Sequence, residues 1–160
     1  MKFDFCIGNP PYQEEAVGEQ KTFAAPVYNK FMDAAYQVAD KVELIHPARF
    51  LFNAGSTPKA WNERMLNDEH FKILHYEDNA SKIFPNTDIK GGVAISYRDN
   101  KYNFGAIEVF TKYVELNDIL RKVTEYNDFD SMSNIVVTRT AYRLTDTMHK
   151  DHPEAITQLS

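Results

Sequence analysis

Residues 8 to 12 read Gly-Asn-Pro-Pro-Tyr. A residue that precedes proline is driven out of the α region into extended backbone, and each proline fixes its own φ and lacks an N–H. Asn9, Pro10, Pro11 and Tyr12 therefore make a stiff segment whose carbonyls have no helical partner and can face outward. Two acceptors then lie close together, the Asn9 amide oxygen and the Pro10 carbonyl, with the flat ring of Tyr12 one step away. This set suits an exocyclic aromatic amine, a poor nucleophile because its lone pair is delocalised into the ring. Acceptors on its two hydrogens favour a more tetrahedral nitrogen and stabilise the positive charge that builds on attack, while Tyr12 stacks on the base. A duplex hides that amine, so the base must be flipped out. The same tetrapeptide could be a surface turn or a polyproline stub. The apolar strand that feeds directly into it, and Gly8 beside it, weigh against that alternative.

The positioning elements follow from periodicity. Phe3, Phe5 and Ile7 alternate as in a short strand. This puts Asn9 at a carboxyl end, where open α/β sheets place their ligands. Residues 13–25 are polar and read as a surface loop. Pro26 suits the first turn of a helix over 26–39, with Val27, Phe31, Ala34, Ala35 and Val38 on one face. Val42 to His46 is a buried strand bounded by Pro47, followed by a short helix over 48–54. Ser56-Thr57-Pro58 reads as a cap before a helix through Trp61, Met65 and Leu66. Phe71 to Glu77 is a strand, Ala80 to Phe84 a turn ended by Pro85-Asn86, and Gly91-Gly92 opens a strand over Val93 to Tyr97. The alternation predicts a layered α/β sheet ending in a hairpin-like pair. Beyond it, Ile107, Phe110, Val114, Ile119 and Val123 suggest a helix across 106–124. Ile135 to Val137 reads as a short strand, and the last fifteen residues as a poorly ordered polar tail.

Composition narrows the function. A formal charge of −5 is unfavourable for a stand-alone nucleic-acid binder, which needs cations to displace counterions. If the chain touches DNA, most phosphate contacts must come from elsewhere. Cys6 is the single cysteine, so no intrachain disulfide can form; with no signal-peptide pattern, a reducing, cytoplasmic setting is expected. Cys6 itself reads as a packed thiol. No apolar run reaches the ~20 residues that span a bilayer, so no membrane partner is expected. His46, His70, His75, His149 and His152 lack metal-site spacing, so no metal is expected, and His46 before Pro47 reads as a buried or strand-end histidine. Glu14, Glu15 and Glu19, and likewise Lys82 and Lys90, read as solvated charges, although the two lysines could reach phosphates near a flipped base.

Phe3 to Tyr12 resembles the catalytic motif of adenine-specific (N6) DNA methyltransferases of restriction-modification systems, closest to the Eco57I-like and TaqI-like group. Val42 to Phe52 is similar to that family's next strand and helix start. Ile83-Phe84-Pro85 with Gly91 to Tyr97 is similar to its aromatic motif and following strand. The resemblance implies the C-terminal half of a Rossmann-like methyltransferase sheet, mixed and with an antiparallel strand pair, over residues 1–104. A linker helix and the start of a target-recognition region follow over 105–160. It implies Asn9, Pro10, Pro11 and Tyr12 as catalytic residues, Tyr12 and Phe84 as base-stacking residues, S-adenosylmethionine as methyl donor and DNA as partner. RNA adenine or a protein glutamine are alternative substrates for the same motif, and a non-catalytic assembly module is an alternative role. In the family a glycine-rich cofactor turn precedes the catalytic motif. Here three residues precede Asp4, and neither Gly91-Gly92 nor Phe104-Gly105 lies in the required strand–helix context. The expectation is that most of the cofactor-binding half is missing and that the isolated chain has little activity. An apolar strand edge at residues 3–7 would then pair with another copy or a complementary fragment, or be covered by the chain's own tail.

Overall fold

Every second residue of Phe3–Gly8 is apolar up to Ile7, and this segment forms strand β1. The computed structural model describes residues 2–14, 24–87, 89–126, 128–132, 135–136 and 145–154; most of the expected 13–25 loop lies outside them. Helix α1 (Tyr28–Val38) carries the chain over to β2 (Ala39–Pro47). β2 pairs parallel to β1, with Cys6 opposite Val42; such a crossover is what a parallel pair requires. A short 3-10 helix (Arg49–Phe52) and α2 (Lys59–Leu66) lead to β3 (Phe71–Glu77), and the chain returns as β4 (Val93–Asp99). β4 lies between β2 and β3 and is antiparallel to both, so the sheet order is β1-β2-β4-β3. The result is a mixed four-stranded α/β sheet, with the expected antiparallel strand pair in β3 and β4.

The two sheet faces differ. Val42, Leu44 and His46 on β2, with Ala94 and Ser96 on β4, are buried. They belong with Tyr28, Met32, Phe50, Leu51, Trp61, Met65 and Phe71 in the buried core. On β1 the thiol of Cys6 packs against this core, while Phe3, Phe5 and Ile7 point the other way and are 60%, 61% and 76% exposed. β1 is an edge strand, and no other described segment pairs with its outer side.

Several local expectations are corrected. Pro26 is not in the first helical turn; it bridges Gln13, and α1 starts at Tyr28. Neither Ser56 nor Thr57 caps α2, because the Thr57 hydroxyl donates to Asn62 Oδ1 at 2.7 Å instead. The helix read across 106–124 begins only at Val114 (α3, Val114–Thr124). Gly105 (φ 82°) and Glu108 (φ 54°) adopt left-handed backbone that interrupts it, and Ile107 and Phe110 instead pack individually against the core. Ile135 lies in a turn and Val136 in no strand; Val137 lies outside the described residues. The supposedly disordered tail contains a short helix, α4 (Asp146–Asp151). The Thr145 hydroxyl caps it by accepting from the Met148 N–H at 3.2 Å, and the Met148 side chain is buried.

The chain divides into two compact units, Met1–Lys112, which holds the whole sheet, and Tyr113–Ser160, which holds α3 and α4. In the second unit α3 carries Glu115 in its first turn and Arg121 and Lys122 in its last, the distribution that complements a helix dipole. No helix of the described residues is long and apolar enough to cross a membrane.

Candidate active site

Strand direction gathers the site. The carboxyl ends of β1, β2 and β3 and the amino end of β4 meet along one margin of the sheet: Gly8 lies opposite Leu44, Pro47 opposite Val93, and Glu77 opposite Val93 from the other side. The four segments that leave or enter at this margin are 9–12, 47–49, 78–87 and 89–92. They surround an open cleft of about 1190 Å³. Asn9, Pro10, Pro11, Tyr12 and Phe84, the five residues singled out from sequence, all line it.

The tetrapeptide is held at its far end. The Tyr12 carbonyl accepts from the Val27 N–H at 3.2 Å, and the Ala25 carbonyl accepts from the Glu14 N–H at 2.8 Å. Together with the Gln13–Pro26 bridge, these bonds pin the segment to the start of α1. Asn9 and Pro11 are exposed, whereas Pro10 and Tyr12 are half-buried. The Tyr12 hydroxyl points inward to a buried position with no hydrogen-bond partner among the described residues, and burial pushes its ionisation up to about 12. The ring is therefore a neutral apolar surface at any ordinary pH. Its centroid is 6.3 Å from that of Phe84, and the planes are inclined by 74°. The two rings meet edge to face, so a planar ligand stacked on one would present its rim to the other.

Behind the cleft the rings continue into the core. Tyr28 lines the cleft and stacks on His46 with centroids 6.1 Å apart and planes inclined by 7°. His46 is fully buried, with Nδ1 3.0 Å from the Pro47 carbonyl and Nε2 2.8 Å from Ser96 Oγ. The carbonyl can only accept, so Nδ1 carries the proton and Nε2 accepts from the serine hydroxyl. Burial pushes the imidazole down from 6.5 to about 4, and the bond to Pro47 opposes this only weakly. The unfolded chain therefore takes up this proton before the folded one does. The stability linked to His46 is complete above pH 6.5 and is lost as pH falls toward 4. Unfolding by denaturant at pH 7.5 and 4.5 should show a loss of about 2–3 kcal/mol from this group. The pH dependence should shrink by that amount in His46→Gln; an unchanged dependence in the variant would assign the loss to other groups.

Two basic residues join the site. Lys90 lines the cleft, as does Arg49, which the sequence reading did not single out. Lys82 does not line it and instead donates to Glu77 at 3.0 Å. Arg49 was missed because no local pattern marks it: its place depends on Gly91, remote in the chain, as well as on Gly55 in the turn that follows it. An added Cβ at Gly55 would lie 3.4 Å from Arg49 Cδ, and one at Gly91 2.9 Å from Arg49 Cγ. The arginine stem thus packs against two glycines with φ of 93° and 88°. Gly92 serves another close approach, because a Cβ there would stand 2.4 Å from the Glu77 carbonyl oxygen. The Gly91-Gly92 pair is accordingly a packing turn at the start of β4. Among the described residues, the turn after β1 carries prolines in place of a glycine-rich strand-to-helix cradle. No group of three or more His, Cys, Asp or Glu among the described residues could hold a metal.

Comparison with known proteins bears on this geometry. Residues 1–84 match the family model of the Eco57I restriction-modification methylases. An uncharacterized adenine-specific methylase of Mycoplasma pneumoniae is 28% identical over 115 residues, covering 71% of this chain and 27% of the relative. The chain thus spans about a quarter of the length of that relative. No solved structure matches the chain.

Proposed function

The chain belongs to the Eco57I restriction-modification methylase family, and from that premise we propose that it supplies the target-base side of methyl transfer to adenine N6 in DNA. The observation that carries this reading is the convergence of Asn9, Pro10, Tyr12 and Phe84 on one cleft. The flipped adenine enters beside the tetrapeptide. Asn9 Oδ1 and the Pro10 carbonyl accept from the two amine hydrogens and orient the nitrogen lone pair toward the methyl donor. These acceptors also stabilise the charge that develops on the nitrogen. One of the two rings takes the face of the base and the other its rim, as their 74° inclination favours. Neither Asn9 nor a proline can take a proton, so the proton released from the methylated nitrogen leaves to water through the open mouth of the cleft. Much of the rate then comes from positioning.

S-adenosylmethionine is the proposed donor, which supplies an electrophilic methyl group on sulfonium. Its cradle would come mainly from outside the residues described, and little turnover is proposed for the chain by itself. The open edge of β1 would accept a strand from a complementary methylase segment or from a second copy. The unit Tyr113–Ser160 would begin the connection to a target-recognition region.

A nucleoside titration followed by amide NMR tests the reading. Deoxyadenosine should shift Tyr12 and Phe84. N6,N6-dimethyldeoxyadenosine, which lacks both amine hydrogens, should bind at least about tenfold more weakly, because the bound base would cover two acceptors and leave them unpaired. Equal binding of the two nucleosides, or preference for thymidine, would overturn it.

A further inference from the structure

The cleft has a cationic side that base recognition does not use. Among the described residues that line it, Arg49 and Lys90 are charged and no carboxylate is present, in a chain whose formal charge is −5. Arg49 is exposed, and its side chain makes no hydrogen bond or ion pair to another described residue. Its side chain is nevertheless confined. Gly55 and Gly91 both lie so close to the stem that an added Cβ on either would crowd it, which restricts the directions the side chain can take.

The neighbouring loop is fixed as well. Asn62 Nδ2 donates to Asn53 Oδ1 at 3.3 Å, and Thr57 Oγ1 donates to Asn62 Oδ1 at 2.7 Å. These bonds tie down the stretch that carries Gly55 and Ser56, both at the cleft wall. The guanidinium also lies close enough to Tyr28 to favour that ring's ionised form, although burial dominates and raises it to about 12. The cleft volume of about 1190 Å³ exceeds the roughly 300–1,000 Å³ of ordinary small-molecule pockets. Space therefore remains for sugar and phosphate beside a base.

We propose that Arg49, its stem packed against Gly55 and Gly91, clamps a backbone phosphate of the nucleotide whose base occupies the cleft, with Lys90 as a second cation. The guanidinium fork matches two phosphate oxygens at once, which a solvated lysine does not. A preset fork loses little entropy on binding. Phosphate contacts of this kind fix the register of the nucleic acid without reading sequence, so the clamp holds the sugar while Asn9 and Pro10 address the amine. The inference rests on the adenine reading above but is tested separately from it.

The test is titration of the whole chain with the trinucleotide d(TpApT), and with its neutral analogue bearing methylphosphonates at both linkages. Amide and arginine Nε resonances are followed for the wild type and for Arg49→Ala. Because Arg49 is exposed, the variant should fold, which its amide spectrum checks. The wild type should bind the charged trinucleotide at least about tenfold more tightly than the neutral one, with a shift at Arg49 Nε. In Arg49→Ala that ratio should fall below about threefold, while deoxyadenosine affinity is unchanged. A ratio near one in the wild type, an equal ratio in the variant, or no binding of d(TpApT) would each overturn the clamp. So would an Arg49 Nε resonance that responds to S-adenosylmethionine and not to the trinucleotide, since the arginine would then serve a carboxylate. If d(TpTpT) binds as tightly as d(TpApT) with the same Arg49-dependent ratio, the clamp stands and the adenine reading fails.

Discussion

Asn9→Ala is expected to lower methyl transfer by about 10²–10³-fold, the usual consequence of removing one preorganised polar group from a developing charge. The loss should fall on the chemical step. Asn9 is exposed and has no hydrogen-bond partner among the described residues, so its removal leaves no core group unpaired. The Pro10 carbonyl remains, which explains a large rather than complete effect. Asn9→Asp keeps an acceptor at nearly the same position and should recover a substantial part of the rate. Single-turnover transfer to an adenine oligonucleotide, in any preparation in which these residues take part in turnover, is the direct measurement. In the isolated chain, the readout is discrimination between deoxyadenosine and its N6,N6-dimethyl analogue, which Asn9→Ala should largely abolish. Retention of both rate and discrimination would remove Asn9 from the mechanism.

Phe50→Ala should cost about 3–5 kcal/mol of folding stability. Phe50 is completely buried. Its ring lies 5.0 Å from Trp61, 5.4 Å from His46, 6.3 Å from Tyr28 and 6.4 Å from Phe71, centroid to centroid. Four rings on four different elements cannot readily close over the void left by its loss. Against a typical domain stability of about 5–15 kcal/mol, such a loss would leave a large unfolded fraction at physiological temperature. The effect should reach the cleft, since Phe50 adjoins Arg49 in the same 3-10 helix and touches Tyr28 on the cleft wall. Denaturant midpoints measure it, and a shift worth less than about 1 kcal/mol would mean that the core repacks freely.

The parts of the fold that could be read from sequence are those whose pattern is local. β3 occupies Phe71–Glu77, the run of apolar and β-prone residues that marks it. The stiffness of Asn9 to Tyr12 comes from proline chemistry and needs no neighbours. The helix read across 106–124 failed because helical spacing of Ile107 and Phe110 is a coincidence of use. Each meets the core separately, Phe110 through Phe52 and Tyr76 at 5.3 and 5.4 Å. Glu108 between them adopts a backbone that no α-helix contains. α4 escaped notice because its stretch is polar and one cap and one buried methionine define it. Arg49 escaped for a different reason: its stem lies against Gly91 from a distant turn as well as Gly55 from the turn that follows it, and no local pattern marks that meeting.

The small ladder that pins Tyr12 to the start of α1 has a bearing on changes of chain length. Gln13 and Pro26 pair, and Glu14 and Val27 donate across the same gap, so the segment between is closed at its base. Lengthening a closed loop is thermodynamically mild, about 0.6 kcal/mol for each doubling. Insertions and deletions between Glu14 and Ala24 should therefore cost little stability and leave the Tyr12 ring where it is. A change of length there is expected to leave the tetrapeptide in place, because the closure lies in the ladder and not in the loop.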